Sequence, residues 1–235
     1  MEIMTSISER LQAVLEHIGQ AAQTAGRPPD AIQLVAVSKT QPADAIRQAC
    51  IAGQHAFGEN YLQEALEKMA QLSDLPLQWH FIGPIQSNKT RPIAEHFHWV
   101  HSIERLKIAQ RLNDARPDSL PPLDVCIEVN ISGEASKDGV EPNETRALAD
   151  AIMQLPRLRL RGLMTIPAPT DDIALQHRQF RMVRDLFEKL RGEGLPLDTL
   201  SMGMTEDFPA AIAEGSTIVR IGTAIFGARN TRKTG

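Results

Sequence analysis

Leu34-Val35-Ala36-Val37-Ser38-Lys39, residues 34–39, is the stretch on which the fold reading turns. Four consecutive apolar residues are too few for a core helix and read as a parallel strand buried on both faces. Lys39 follows at the carboxyl end, and helical chain opens at Thr40 and Pro42. Open and closed α/β folds collect their ligands at that end of their strands. An amine placed there can lose water, drop its pKa and attack aldehydes. On these residues alone, a solvated lysine that ends a strand is the plainer reading.

Outward from this stretch, strand and helix alternate. Strands are expected at 34–39, 56–60, 79–83, 99–102, 123–130, 158–165, 199–202 and 217–221. Helical patterns fall at 42–52, 62–72, 89–96, 106–115, 143–155 and 173–191, with another beginning near Asp207. Eight strands alternating with helices predict an α/β fold, a single (β/α)8 TIM barrel over residues 1–235. A doubly wound open sheet is the alternative, weakened because no G-x-G-x-x-G turn follows the first strand. Residues 5–25 form a further amphipathic helix. Ser6 and Glu9 make a capping box, and Ile7, Leu11, Val14, Leu15, Ile18 and Ala22 share a stripe. Gly26 and Pro28 end it, so residues 1–28 are expected to pack outside the barrel, and residues 229–235 to form a solvated tail.

Hydrophobic residues make up 42% of the 235-residue chain and charged residues 23%, ordinary values for a globular protein. A net charge of −4 argues against a general nucleic-acid binder. Cys50 and Cys126 make no disulfide framework, and Cys126 sits in an apolar run as a small core residue. With no membrane-length apolar run and no signal-peptide core in residues 1–20, the expected compartment is the cytoplasm.

In a barrel the strand ends converge on one face. Lys39 ends strand one, Gly58-Glu59-Asn60 strand two, Asn130 strand five, Ser201-Met202-Gly203-Met204-Thr205 strand seven and Arg220-Ile221-Gly222-Thr223 strand eight. The last two loops have the chemistry of a phosphate cradle, with hydroxyls on Ser201 and Thr223, close backbone approach at Gly222 and a helix start near Ala224. Tight turns at Gly203 and Gly222 are the competing explanation. Arg220 interrupts the apolar run Thr217-Ile218-Val219-Arg220-Ile221 and must be paired, either internally or with a ligand. An aldehyde-reactive lysine, a phosphate cradle and a cation suited to a planar ring describe a pyridoxal phosphate site. An arginine at the ring nitrogen keeps that nitrogen unprotonated and weakens the ring as an electron sink.

The segments Val35–Thr40, Phe57–Tyr61, Trp79–Gly83, Gln86–Lys89, Ser201–Met204 and Arg220–Gly227 closely resemble the YggS/PROSC pyridoxal phosphate homeostasis proteins, in the family's order and over nearly the whole chain. The resemblance implies a fold-type III barrel like the N-terminal domain of alanine racemase, with Lys39 as the Schiff-base lysine. Its cofactor-binding set here is Lys39, Asn60, Ser201, Arg220, Gly222 and Thr223. The implied role is cofactor carrier or regulator in vitamin B6 balance, without strong turnover, with apo-enzymes as possible recipients. Thr205 stands where the family favours serine, and Pro209 at a commonly acidic position, in the first turn of the next helix.

Two rivals are an amino-acid racemase and a Schiff-base aldolase. A racemase needs a second base, often a tyrosine from a further β domain, and the sole tyrosine is Tyr61; the chain ends soon after Gly227. An aldolase needs a proton-shuttling set near the lysine, and none is evident. His96, His98 and His101 are crowded but lack the companions of a zinc site. Trp79 and Trp99 read as core anchors, and Met202 and Met204 as packing beside cofactor or core. Glu59 either orients Asn60, pairs with a cation or faces solvent. Lys137 is a candidate second aldehyde acceptor, with solvated surface lysine the plainer reading. A monomer is expected, with a dimer the alternative.

Overall fold

A computed structural model describes residues 6–131 and 138–227. Strand β1 (Gln33–Val37) is buried along its three central residues and pairs in parallel with β2 (Ala56–Glu59) on one side and β8 (Ile218–Ile221) on the other. Between them run β3 (Gln78–Phe81), β4 (Trp99–Ile103), β5 (Leu123–Glu128), β6 (Leu158–Met164) and β7 (Thr199–Ser201), and the sheet closes in the order β1 to β8. The eight-stranded parallel barrel read from the sequence is the fold.

Alternation along each strand divides the core in two. Leu34 and Ala36 join the large apolar layer between sheet and helices, whereas Val35 joins a separate buried cluster with Ala56, Trp99, Cys126, Met164 and Ile218. That smaller cluster is the barrel interior. Burial raises the Cys126 thiol's pKa and leaves it a packing residue. Outside lie α2 (Ala43–Ile51), α3 (Leu62–Gln71), α4 (Thr90–His96), α5 (Leu106–Ala115), α6 (Thr145–Ile152), α7 (Ile173–Gly192), α8 (Phe208–Ala213) and the single turn α9 (Thr223–Phe226).

The added helix α1 (Ile7–Thr24) has the capping box expected of Ser6 and Glu9, and packs against α2, α8 and α9. Its buried stripe is Leu11, Val14, Ile18 and Ala22. Leu15 corrects the sequence reading, being 39% exposed; one residue past Val14, it is rotated about 100° off the stripe. Several strands end earlier than expected. β1 stops at Val37, so Lys39 lies in the turn beyond it, and β5 stops at Glu128. Pro209 falls in the first turn of α8. Lys137 and the tail from 229 lie outside the described residues.

Two arginines tie α1 and its C-terminal extension to the end of the barrel. Arg10 Nε donates to the Ile225 carbonyl at 2.6 Å, and Arg27 Nη1 to the carbonyls of Ile212 and Ser216 at 2.9 and 2.6 Å. Removing a guanidinium that satisfies two partly buried carbonyls costs about 2 kcal/mol. Arg27→Ala is therefore expected to lower the unfolding free energy by that amount in denaturant titration, with native secondary structure retained.

Candidate functional site

Lys39 stands at a corner built from backbone strain and buried charge. The Gln41 N–H donates to the Ser38 carbonyl at 3.0 Å, so Lys39 and Thr40 are the central residues of a tight turn. Thr40 has φ 65°, the sole described non-glycine residue with positive φ. A β-branched residue adopts that conformation only when its surroundings impose it. Here the Thr40 N–H donates to Glu64 Oε1 at 2.6 Å. On the other side of Lys39, the Ser38 hydroxyl donates to Glu59 Oε1 at 2.6 Å. Lys68 Nζ joins the two halves, donating to the Ser38 carbonyl at 2.7 Å, to Glu59 at 2.8 Å and to Glu64.

Glu59 and Lys68 are both buried, so Glu59 is neither a surface residue nor an orienting group for Asn60; it is half of an internal ion pair. Burial nevertheless raises the Glu59 carboxyl's pKa, with Lys68 and Ser38 pulling the other way. Glu64 and Lys68 are four apart on α3, a spacing legible in the sequence. Their partners across the turn were not.

The turn opens on a cavity of about 380 Å³ at the carboxyl ends of the strands, lined among others by Lys39, Asn60, Arg220, Gly222 and Thr223. This volume lies within the range of small-molecule sites. Five of the six candidate residues are thus brought together. Ser201 is not on the cavity wall: it is fully buried, its hydroxyl occupied by His101 and Arg220. Met204, Thr205 and Asp207 also line it, whereas Met202 is buried in the core.

Arg220 lies in the floor. Nη1 donates to the carbonyl and hydroxyl of Ser201 at 2.7 and 2.6 Å, and Nη2 to the Thr165 carbonyl at 2.9 Å. Burial lowers its pKa to about 10, opposed by the nearby carboxylates of Glu128 and Asp207, so it remains charged at neutral pH. Of five guanidinium N–H groups, the Nε–H and one Nη2–H have no hydrogen-bond partner among the described residues. Asn60 Oδ1 is likewise buried and unpaired. At Gly222 a Cβ would come within 2.9 Å of the Val37 carbonyl, so only glycine lets β8 approach β1 at the rim. Gly203, with φ 97°, serves a turn packed on α8.

Around the floor, burial raises Glu128 to about 7 and also raises the Asp207 carboxyl from its ordinary value, although Asp207 accepts the Met204 N–H at 2.6 Å. Glu128, Asp207, Lys68 and Thr165 were not read from the sequence as site residues. Trp79 and Trp99 are buried, as their reading as anchors requires. The three crowded histidines part company: His96 is exposed at the end of α4, His98 accepts the Trp79 N–H, and His101 faces the barrel interior.

The chain matches the family described as alanine racemase, N-terminal domain, over residues 10–230. It is 63% identical over 227 residues to the pyridoxal phosphate homeostasis protein of Pseudomonas aeruginosa, covering 97% of each chain. The chain belongs to the YggS/PROSC family of pyridoxal phosphate homeostasis proteins. A solved relative is PipY of Synechococcus elongatus PCC7942, with PLP bound, at TM-score 0.83 and 39% identity, covering 94% of this chain and 100% of that one. Alanine racemase from Corynebacterium glutamicum shares the fold at TM-score 0.67 and 22% identity, with 93% of this chain matching 62% of the enzyme.

Two outcomes test the site's electrostatics. Lys68→Met leaves a buried carboxylate without its cation and is expected to cost about 3 kcal/mol, most of it recovered in the double variant Glu59→Gln/Lys68→Met. Glu128 holds its proton more tightly folded than unfolded, so its contribution is full below the ordinary value of 4.5 and lost as pH rises through about 7. The interval corresponds to about 3 kcal/mol. Across pH 5 to 8, stability of the cofactor-free protein should therefore fall less in Glu128→Gln than in wild type.

Proposed function

We propose that this protein binds pyridoxal phosphate reversibly on Lys39 and acts in vitamin B6 homeostasis as a carrier or regulator in the cytoplasm, with apo-enzymes as recipients. The observation that carries the reading is the meeting of an amine, an unpaired carbonyl, a buried guanidinium with two N–H groups to spare and a glycine-threonine rim in one cavity. This donor set fits the cofactor. When bound, pyridoxal phosphate supplies an aldehyde that condenses with a primary amine as a Schiff base, releasing water.

Lys39 supplies that amine, and the clamped turn beneath it fixes where the amine emerges. Arg220 holds its remaining N–H donors toward the cavity for the ring nitrogen. Since it stays protonated at neutral pH, it delivers no proton there, and little carbanion stabilisation follows. Asn60 Oδ1 accepts a hydrogen bond, while Gly222 and Thr223 at the start of α9 serve the phosphate. Ser201 takes part from behind Arg220.

The non-catalytic part of the reading rests on what surrounds the amine. Tyr61 is 55% exposed and is not on the cavity wall, so it does not stand as a second base opposite Lys39. Among the described residues, no helix is long and apolar enough to cross a membrane.

Purified protein mixed with pyridoxal phosphate should turn yellow. Borohydride should bleach the colour and fix one label on Lys39, and Lys39→Ala should lose both while remaining folded. A wild type that takes up no cofactor would sink the reading. Racemisation of alanine or serine that vanishes in Lys39→Ala would overturn its non-catalytic part.

A further inference from the structure

A chain of hydrogen bonds runs through the barrel interior beneath Arg220, and its polarity is fixed at one end. Arg220 Nη1 lies 2.6 Å from Ser201 Oγ, which lies 2.7 Å from His101 Nδ1. His101 Nε2 is 2.9 Å from His80 Nδ1, and His80 Nε2 is 3.2 Å from Gln78 Oε1, which also accepts Gln33 Nε2 at 3.2 Å. Ser201, His80 and His101 are fully buried, and the His80 ring stacks on Trp99 with centroids 5.5 Å apart.

A guanidinium can only donate. The Ser201 oxygen therefore accepts from Arg220, and because no other acceptor for its hydrogen lies among the described residues, it turns that hydrogen toward His101 Nδ1. Burial lowers the pKa of His80 to about 3 and that of His101 well below its ordinary value, so both rings are neutral with one proton each. His101 then carries its proton on Nε2 and gives it to His80 Nδ1. His80 in turn carries its proton on Nε2 and donates to Gln78. Every link is determined in one direction, from Arg220 inward.

We propose that His101, backed by His80, is the positioning residue for Arg220: it holds the Ser201 hydroxyl with a lone pair facing the guanidinium, and so decides which N–H groups remain for the cavity. With both Nη1 hydrogens held by Ser201 and one Nη2 hydrogen by the Thr165 carbonyl, the guanidinium plane cannot roll. The Nε–H and the second Nη2–H are left for a ligand. Without the acceptor at His101, the Ser201 hydroxyl is free to rotate, and one of the three bonds that hold the guanidinium plane is weakened while the two backbone carbonyls remain. The proposal rests on the reading of the cavity as a pyridoxal phosphate site, with Arg220 donating to the ring.

The test compares His101→Leu, which removes the acceptor, with His101→Asn, whose amide oxygen can take the place of Nδ1. Cofactor affinity from absorbance titration should weaken about tenfold in His101→Leu, the size expected for disturbing a hydrogen bond to a charged group. The absorption envelope of the bound cofactor should change with it, while borohydride still labels Lys39. His101→Asn should recover affinity to within about threefold. Because Ser201 and His101 act in one chain, His101→Leu/Ser201→Ala should bind no more weakly than the worse single variant. A folded His101→Leu with wild-type affinity and spectrum overturns the proposal, as does a fully additive double variant.

The chain itself is read in cofactor-free protein from imidazole 15N shifts at neutral pH. Both rings should be protonated at Nε2 and bare at Nδ1, and a protonated Nδ1 on His101 overturns the proposal directly. A wild type that refuses pyridoxal phosphate would instead strike at the proposed function, leaving the tautomers to decide the chain.

Discussion

A permanent positive charge inside a closed sheet is the constraint around which this protein is built. Taking a guanidinium out of water costs several kcal/mol unless its N–H groups find acceptors and its charge finds partners. Arg220 meets that cost with the carbonyls of Ser201 and Thr165, the Ser201 hydroxyl, and the fields of Glu128 and Asp207. These groups come from β5, the ends of β6 and β7, and the turn into α8. They meet only when the barrel is closed and in register. The same closure that stabilises the fold therefore also completes the floor of the cavity.

Lys39 is held by a different device. A strained threonine turn stays in place because a carboxylate–ammonium–carboxylate cluster, with Glu59 and Lys68 buried and Glu64 half-buried, takes its backbone groups from both sides. The two basic residues of the site are thus fixed independently, Arg220 by the barrel interior and the Lys39 turn by the outer layer between α3 and β2. Little reorganisation is left for a ligand to impose, which favours affinity over motion. The neutral interior histidines are consistent with this division. They add no charge beneath Arg220, yet they supply the directional acceptor that a hydrocarbon core lacks.

The sequence was informative wherever function depends on a residue type at a position along a strand. Lys39 after four apolar residues and Arg220 within an apolar run are local anomalies, visible without any partner. Gly222 and Thr223 were legible for the same reason, since they follow a strand end in a barrel of known handedness. Ser201 was read as a hydroxyl turned toward the cavity, whereas it is turned inward. Nothing near it in sequence signals a histidine 100 residues away whose Nδ1 lies 2.7 Å from its hydroxyl. Glu59 stood undecided between orienting Asn60, pairing with a cation and facing solvent until Lys68, nine residues on, closed over it.

What the chain settled by itself was periodicity: eight buried strands, the helices between them, an extra capped helix in front, and the side of the barrel on which chemistry gathers. These follow from backbone geometry and apolar spacing, which act over a few residues. Only the tertiary structure decided which polar groups face each other. Hydrogen bonds and buried charges depend on distances of about 3 Å between strands far apart in sequence, and no local pattern encodes that separation.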